Sequence, residues 1–210
     1  MEDSPRYRVP AGQCRVEQEV LRSRFVTTLG RTPRADDARS LLARVRAEMP
    51  DASHHCWAFV AGPPGSTASI GLSDDGEPHG TAGKPMLTAL LHSGVGEITA
   101  VVTRYFGGTL LGKGGLVRAY TAGVVAALGA LETVERVRRA RVAVEVEYAH
   151  YELVRRLLPG FEAEVVDETF GATVGLRVQL PAAGVERFAQ GLLDATAGDA
   201  LCETLDVDPP

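Results

Sequence analysis

The segment Arg104-Tyr-Phe-Gly-Gly-Thr-Leu-Leu-Gly-Lys-Gly-Gly-Leu-Val-Arg-Ala-Tyr120 joins an apolar run to a helical run, and it holds five glycines and three cations. The apolar run, 98–102, predicts a strand, and the spacing of apolar residues in 116–131 predicts a helix. Backbone N–H groups and a partial positive charge collect at a helix N-terminus. A strand, a glycine-rich loop and a helix in this order therefore form a candidate anion site.

The candidate anion contacts of this segment are its cations and its glycines, with no acid between them: Arg104, Lys113, Arg118, Gly107, Gly108, Gly112, Gly114 and Gly115. The segment does not match the G-x-x-x-x-G-K-[ST] phosphate loop, because Gly115 follows Lys113-Gly114, and it does not match G-x-G-x-x-G. Two interpretations stay open. The glycines either bring the backbone to a phosphodiester or serve only tight turning and close helix packing.

Arg104 falls on an apolar face if the predicted strand continues to Phe106, because alternate strand residues point the same way. A cation on that face needs a carboxylate partner, since an unpaired buried charge is costly. The loop 73–78 offers Asp74, Asp75 and Glu77. The same acids are candidates for Mg²⁺ coordination or acid–base catalysis, and an Asx-type turn that bonds its own backbone is the interpretation we favour.

Two further motifs contain chemically interesting residues. Lys84 opens a helix predicted over 80–91, and a cation at that end of the helix dipole indicates an anion nearby. The tetrapeptide His54-His55-Cys56-Trp57 resembles a metal cluster, but neighbouring strand residues face opposite ways. We therefore expect no zinc site, no Cys–His nucleophile and no resident cofactor.

The composition is that of an ordinary globular protein, with 45% apolar and 23% charged residues in a chain of 210. No apolar run reaches the roughly 18 residues that span a bilayer, and the first residues lack a secretory pattern. The three cysteines form no C-x-x-C pair. We expect a cytoplasmic protein that does not bind membranes.

Charge is distributed unevenly along the chain. Residues 1–139 hold 17 Lys and Arg against 14 Asp and Glu, whereas residues 140–210 hold 5 against 13. A general nucleic-acid coat would be basic throughout. Any contact with a polyanion must therefore be local.

The hydrophobic pattern predicts two domains, 1–135 and 140–210, joined by a charged linker over 132–139. In the first domain, Thr32-Pro33 predicts the start of a helix that Pro50 ends, and 54–60 alternates as a strand. In the second domain the predicted order is β-α-β-β-α-β: 142–146, 151–158, 163–170, 173–180, 185–193 and 200–207. This order predicts a ferredoxin-like domain.

Three motifs carry a family resemblance: His55-Cys56, Ser73-Asp-Asp-Gly-Glu-Pro-His-Gly-Thr-Ala-Gly-Lys-Pro-Met-Leu87 and the segment Arg104–Tyr120. They resemble the YigZ/IMPACT family, and the resemblance covers nearly the whole chain, with a second half similar to that of the bacterial YigZ branch. It implies an α+β fold in two domains. The first would be an α/β sandwich like domain IV of elongation factor G, and the second a ferredoxin-like domain similar to its domain V.

The resemblance also implies a role in translation, through contact with the ribosome or RNA. Eukaryotic IMPACT relatives act through an extra amino-terminal domain, for which this chain leaves no room, so we do not carry their kinase-related role over. No catalytic residues are established for the family. We expect a non-enzymatic binding protein that uses the glycine-rich basic loop.

Two alternatives stay open at this stage. The first is a nucleotide- or phosphate-binding enzyme that uses the acidic loop with Mg²⁺, which a pocket joining the two loops would favour over an open basic ridge. The second is a protein-interaction module whose acidic second domain contacts a basic partner of the translation machinery. The oligomeric state cannot be derived from the sequence.

Overall fold

The computed structural model describes residues 6–208, which divide into two compact units, 7–136 and Arg6 with 137–208. Each unit has its own hydrophobic core and its own antiparallel sheet. The predicted α+β fold with two domains is confirmed.

The first unit is an antiparallel sheet with helices on both faces. Its elements are β1 (Arg6–Pro10), β2 (Cys14–Val20), β3 (Ser23–Arg31), α1 (Ala35–Glu48), β4 (His54–Val60), β5 (Ile70–Ser73), α2 (Gly83–Leu91), β6 (Ile98–Tyr105), α3 (Gly112–Ala130) and β7 (Thr133–Val137). Five of these strands pair in the order β2-β3-β6-β4-β5. Helix α1 packs on one face, and α2 and α3 pack on the other.

Strand β6 is apolar along most of its length because it lies in the middle of the sheet and both of its faces are covered. Val101 packs with Leu41 of α1, whereas Val102 belongs to the cluster that contains Met86 of α2 and Tyr120 of α3. Alternation along the strand therefore directs successive residues into two different layers. The polar end of this strand reaches the glycine-rich loop.

The predicted start of α1 at Thr32-Pro33 is wrong by two residues. Thr32 continues the path of β3, because its buried Oγ1 lies 2.6 Å from Oγ1 of Thr99 and its N–H donates to the Glu97 carbonyl at 2.7 Å. The helix is capped at Arg34, whose N–H donates to the Asp37 carboxylate at 3.0 Å. A hydroxyl that is bonded across the sheet cannot also cap a helix.

The segment 132–139, which the sequence predicts as a charged linker, contains the strand β7, which pairs with β1. The division between the two units falls inside this segment, after Arg136. Arg136 on this strand binds Glu97, with Nε 2.9 Å from Oε1, and Arg31 binds the same carboxylate at 2.8 Å. The side chain of Glu97 is 1% exposed, and a buried carboxylate requires cations nearby. The ion pair between Arg136 and buried Glu97 therefore holds in place a segment whose charged sequence suggests solvent exposure.

The second unit has the ferredoxin-like topology that the sequence predicts. Its elements are β8 (Arg139–Val146), α4 (Tyr148–Leu157), β9 (Glu164–Phe170), β10 (Val174–Pro181), α5 (Val185–Ala195) and β11 (Leu201–Val207), with short 3₁₀ turns at Leu158–Phe161 and Ala182–Gly184. The strand order is β11-β8-β10-β9, all antiparallel. Phe188 and Leu192 of α5 and Val154 of α4 share one core with the sheet.

We expect Glu97→Gln to lower the free energy of unfolding by about 3 kcal/mol, because it removes the charge that neutralises two arginines at a buried site. Urea unfolding followed by circular dichroism measures the loss. The control is Glu17→Gln, since the Glu17 side chain is 54% exposed in its pair with Arg24 and should lose less than about 1 kcal/mol. Equal losses in the two variants would contradict a structural role for Glu97.

Candidate functional site

The glycine-rich segment links β6 to α3, in the predicted order of strand, loop and helix. The strand ends at Tyr105, and the helix begins at Gly112, four residues before its predicted start at Leu116. Lys113, Gly114 and Gly115 therefore lie in the first turn of α3 and not in the loop. Among the glycines of the segment, Gly108, Gly112 and Gly114 are exposed, and Gly107 and Gly115 are half-buried.

Three glycines of this segment are required by the backbone, among them Gly108, whose φ is +79°. A Cβ at Gly107 would lie 2.0 Å from the carbonyl carbon and oxygen of Arg22, in the turn between β2 and β3. Gly112 has a φ of +67°, a conformation that side chains disfavour. The structural interpretation of these glycines is therefore partly correct, but it does not explain Gly114, where the space around a Cβ is open apart from Arg118.

The N-terminus of α3 is open to an anion. No side chain caps it, and its first turn holds no acid. Lys113 and Arg118 are both exposed, and a Cβ placed on Gly114 would lie 3.7 Å from Nη1 of Arg118. The structure therefore brings the guanidinium of Arg118 back to the first turn, where the helix dipole and the unbonded N–H groups already favour negative charge.

The N-terminus of α2 shows the opposite arrangement, because a carboxylate of the protein occupies it. Asp74 accepts hydrogen bonds from the N–H groups of Gly80 at 2.8 Å, Ala82 at 3.0 Å and Gly83 at 2.8 Å. Burial opposes ionisation of Asp74, but these three bonds outweigh it and lower the pKa of the carboxyl. Asp74 is the anion that the position of Lys84 suggests, and Lys84 itself lines a separate groove between α2 and α3.

The other two acids of the loop also have protein partners. Asp75 accepts from the backbone N–H of His55 at 2.7 Å and pairs with Arg46 at 2.6 Å. Glu77 is buried and binds Arg104. Because the three carboxylates serve three different parts of the unit, they do not converge as Mg²⁺ ligands. In the described residues no group of three or more His, Cys, Asp or Glu side chains is arranged to hold a metal ion.

Arg104 and Glu77 form a buried ion pair that joins the two loops. Nη1 of Arg104 lies 2.7 Å from Oε1 of Glu77, and their side chains are 6% and 3% exposed. The hydroxyl of Tyr120 donates to the same carboxylate oxygen at 2.7 Å. Nη2 of Arg104 donates to Oγ of Ser23 at 3.2 Å, and that oxygen also accepts the N–H of Gly107 at 3.2 Å. Arg104 is thus withdrawn from the open surface of the segment.

The residues of the tetrapeptide 54–57 have structural partners in place of a shared metal. Nδ1 of His54 lies 2.8 Å from the carbonyl oxygen of Asp75, and Nδ1 of His55 lies 3.1 Å from Oγ1 of Thr103. Burial lowers the pKa of His55. The Cys56 thiol donates to the carbonyl oxygen of Asp74 at 2.9 Å. The tetrapeptide therefore anchors the acidic loop to β4.

A cavity of about 420 Å³ lies between the acidic loop and the glycine-rich segment. Its walls include His54, Glu77, Arg104, Phe106, Leu110 and Lys113. The sequence analysis did not identify Phe106 and Leu110 as wall residues. The hydrophobic pattern placed Phe106 at the end of a strand, and it gave no role to Leu110 in the loop. The sequence analysis also missed the role of the Tyr120 hydroxyl, and the signal for it was that a buried tyrosine hydroxyl needs a partner.

Comparison with known proteins places the chain in a family. Residues 21–128 match the family described as Impact N-terminal domain, and residues 144–199 match a domain of unknown function, DUF1949. A relative named IMPACT family member YigZ, from Escherichia coli, is 47% identical over 90% of this chain and 93% of its own length. The chain belongs to the IMPACT family. The prediction made from the three motifs is confirmed.

Two further comparisons cover nearly the whole chain. An IMPACT family member from Haemophilus influenzae is 42% identical over 96% of this chain and 98% of its own. A crystal structure of a hypothetical protein has a TM-score of 0.69 and 44% identity, and covers 96% of this chain and 98% of its own. Over the residues described here, none of the helices is long and apolar enough to span a bilayer.

We expect Arg104→Met to lower the free energy of unfolding by about 3–5 kcal/mol, because it leaves the buried carboxylate of Glu77 without its cation. Arg118→Met, at an exposed position, is the matched control and should change stability by no more than about 0.5 kcal/mol. The double variant Arg104→Met/Glu77→Gln should lose less than the two single losses added together. Additive losses in urea unfolding would mean that the pair does not act as a unit.

We expect Cys56 to resist alkylation by iodoacetamide in the native protein at pH 8. Burial raises the pKa of its thiol from 9.0 to about 12, which lowers the reactive thiolate population by about a thousand-fold. Peptide mass spectrometry before and after denaturation measures the labelling. Modification of native Cys56 at the rate of the denatured chain would contradict the buried environment.

Proposed function

We propose that this IMPACT family protein is a non-enzymatic, translation-associated regulator that acts in the cytoplasm and binds RNA phosphates, on the ribosome or in free RNA. The contact surface is the first turn of α3 together with the exposed cations Lys113 and Arg118, and it is called the α3 surface below. Arg104, which the sequence analysis included, is left out of this surface because it is buried against Glu77.

The observation that carries the proposal is the open N-terminus of α3. A 19-residue helix begins without a capping side chain and without an acid in its first turn, and two exposed cations flank it. Glycines in this turn let a phosphate oxygen approach the backbone N–H groups closely. The N-termini of α1 and α2 lack this property, since Asp37 and Asp74 occupy them.

The local charge supports the same conclusion in a chain of net charge −5. From residue 98 to residue 131 the sequence has three cations and no acid. Glu77 neutralises one of the cations, so the α3 surface presents two. Two phosphate contacts give weak binding whose affinity falls by about ten-fold between 50 and 200 mM salt.

Sedimentation of the purified protein with ribosomes and ribosomal subunits, at 50 and 200 mM salt, tests this proposal. We expect wild-type protein to co-sediment at the lower salt and to be released at the higher salt. Lys113→Ala/Arg118→Ala should remain in the supernatant at both salts, because it removes both exposed cations of the α3 surface. The control Arg39→Ala/Arg44→Ala removes the same charge from exposed positions on α1 and should behave as wild type.

Two other outcomes would change this proposal. Co-sedimentation that persists in Lys113→Ala/Arg118→Ala would move the contact away from the α3 surface, and the acidic second unit would then be the candidate for a basic protein partner. Absence of wild-type protein from the ribosome pellet at both salts would overturn the ribosome contact.

A second candidate function, the binding of a free nucleotide, is favoured by one observation. The cavity of about 420 Å³ joins the acidic loop to the glycine-rich segment, and a pocket between these loops suits a small phosphorylated ligand better than an open ridge does. Thermal unfolding with AMP, GMP, CMP or UMP tests it. A rise in the unfolding temperature that saturates with nucleotide concentration would support this candidate.

A further inference from the structure

The cavity beside the α3 surface is of a size that takes one nucleotide. Its volume is about 420 Å³, within the range of small-ligand sites. Its walls differ in chemistry: Phe106 and Leu110 are apolar, Lys113 is cationic, and Arg104 and Glu77 form a buried pair whose charges balance. A ligand that fills it must therefore combine a flat apolar part with an acidic part.

The apolar wall is exposed to an unusual degree. Phe106 is 49% exposed and Leu110 is 84% exposed, and both lie in the loop between β6 and α3. The ring of Phe106 lies 5.5 Å from the guanidinium carbon of Arg104, so the cation supports one side of the aromatic group. An aromatic ring fixed in this way is a platform on which an unstacked base can pack.

Polar groups of the cavity complement the rest of a nucleotide. Arg104, whose buried Nε–H has no hydrogen-bond partner among the described residues, is also a wall residue. Nδ1 of His54 donates to the Asp75 carbonyl in the neutral tautomer, which leaves Nε2 as an acceptor. Lys113 and the first turn of α3 lie at the same cavity and favour a phosphate.

We infer that this cavity receives one unpaired nucleotide of single-stranded RNA, with its base against Phe106 and its phosphate at Lys113. The inference rests on the proposed function and deepens it, since it states that the α3 surface binds single-stranded RNA in preference to duplex RNA. In a duplex the bases are stacked on their neighbours, and the cavity cannot take one of them without unstacking it.

Fluorescence anisotropy with end-labelled RNA tests the inference at low salt. The probes are a single-stranded decamer, a hairpin with the same number of phosphates whose strands are joined by a non-nucleotide linker so that every base is paired, and competing AMP, UMP and inorganic phosphate. We expect the decamer to bind more tightly than the hairpin. Phe106→Ala should weaken decamer binding by at least about five-fold, the lower end of what one stacked base contributes, and should leave hairpin binding unchanged.

Two matched variants keep the result interpretable. Phe106→Trp retains an aromatic platform and should bind the decamer as wild type does. Leu110→Ser changes the same wall at a more exposed position, and it replaces Phe106→Ala if circular dichroism shows that the latter does not fold. Loss of decamer binding in a folded variant of either residue supports the cavity.

The remaining outcomes separate this inference from the proposed function. Equal affinity for decamer and hairpin, both lost in Lys113→Ala/Arg118→Ala and unchanged in Phe106→Ala and Leu110→Ser, would overturn the inference and leave the α3 surface intact. If neither RNA binds, the inference fails, and the proposed function fails with it if the wild-type protein also stays out of the ribosome pellet. Binding of AMP or UMP that depends on Phe106, without binding of RNA, would overturn the RNA source and identify a free nucleotide as the ligand.

Discussion

The buried pair between Arg104 and Glu77 is the constraint on which the site depends. It fixes the end of β6 against the acidic loop, at a distance of 2.7 Å between guanidinium nitrogen and carboxylate oxygen. Tyr120 connects the same carboxylate to α3, and Ser23 connects the same arginine to the turn where Gly107 packs. Four separate segments of the chain therefore meet at one charged pair, and the cavity lies directly beside it.

This pair also explains how an acidic protein can present a cationic surface. An arginine at the end of an apolar strand would be costly without a carboxylate, and Glu77 neutralises it inside the unit. Asp74 and Asp75 are likewise bound to backbone N–H groups and to Arg46. The three acids of the loop therefore all bind other groups of the first unit. None of these bonds involves Lys113 or Arg118.

Sequence patterns predicted the elements that local periodicity determines, such as β4, β6 and the ferredoxin-like order of the second unit. Sequence patterns gave wrong predictions where contacts between distant residues determine the local structure. Thr32 bonds across the sheet instead of capping α1, and buried Glu97 orders β7 within the segment predicted as a linker. The sequence offered three acids as partners of Arg104. The structure shows that the partner is Glu77, which the Tyr120 hydroxyl also binds. A pocket joining the two loops was raised as a possibility, but its wall residues come from distant segments and could not be derived from the sequence.

The acids beside the glycine-rich segment make structural contacts with several parts of the first unit. Oε1 of Glu77 accepts from Arg104 and Tyr120. Asp74 accepts three backbone N–H groups, and these bonds lower its pKa. The Cys56 thiol is protonated because burial raises its pKa. These contacts hold the acidic loop against β4, β6 and α3, and they therefore set the position of one wall of the cavity.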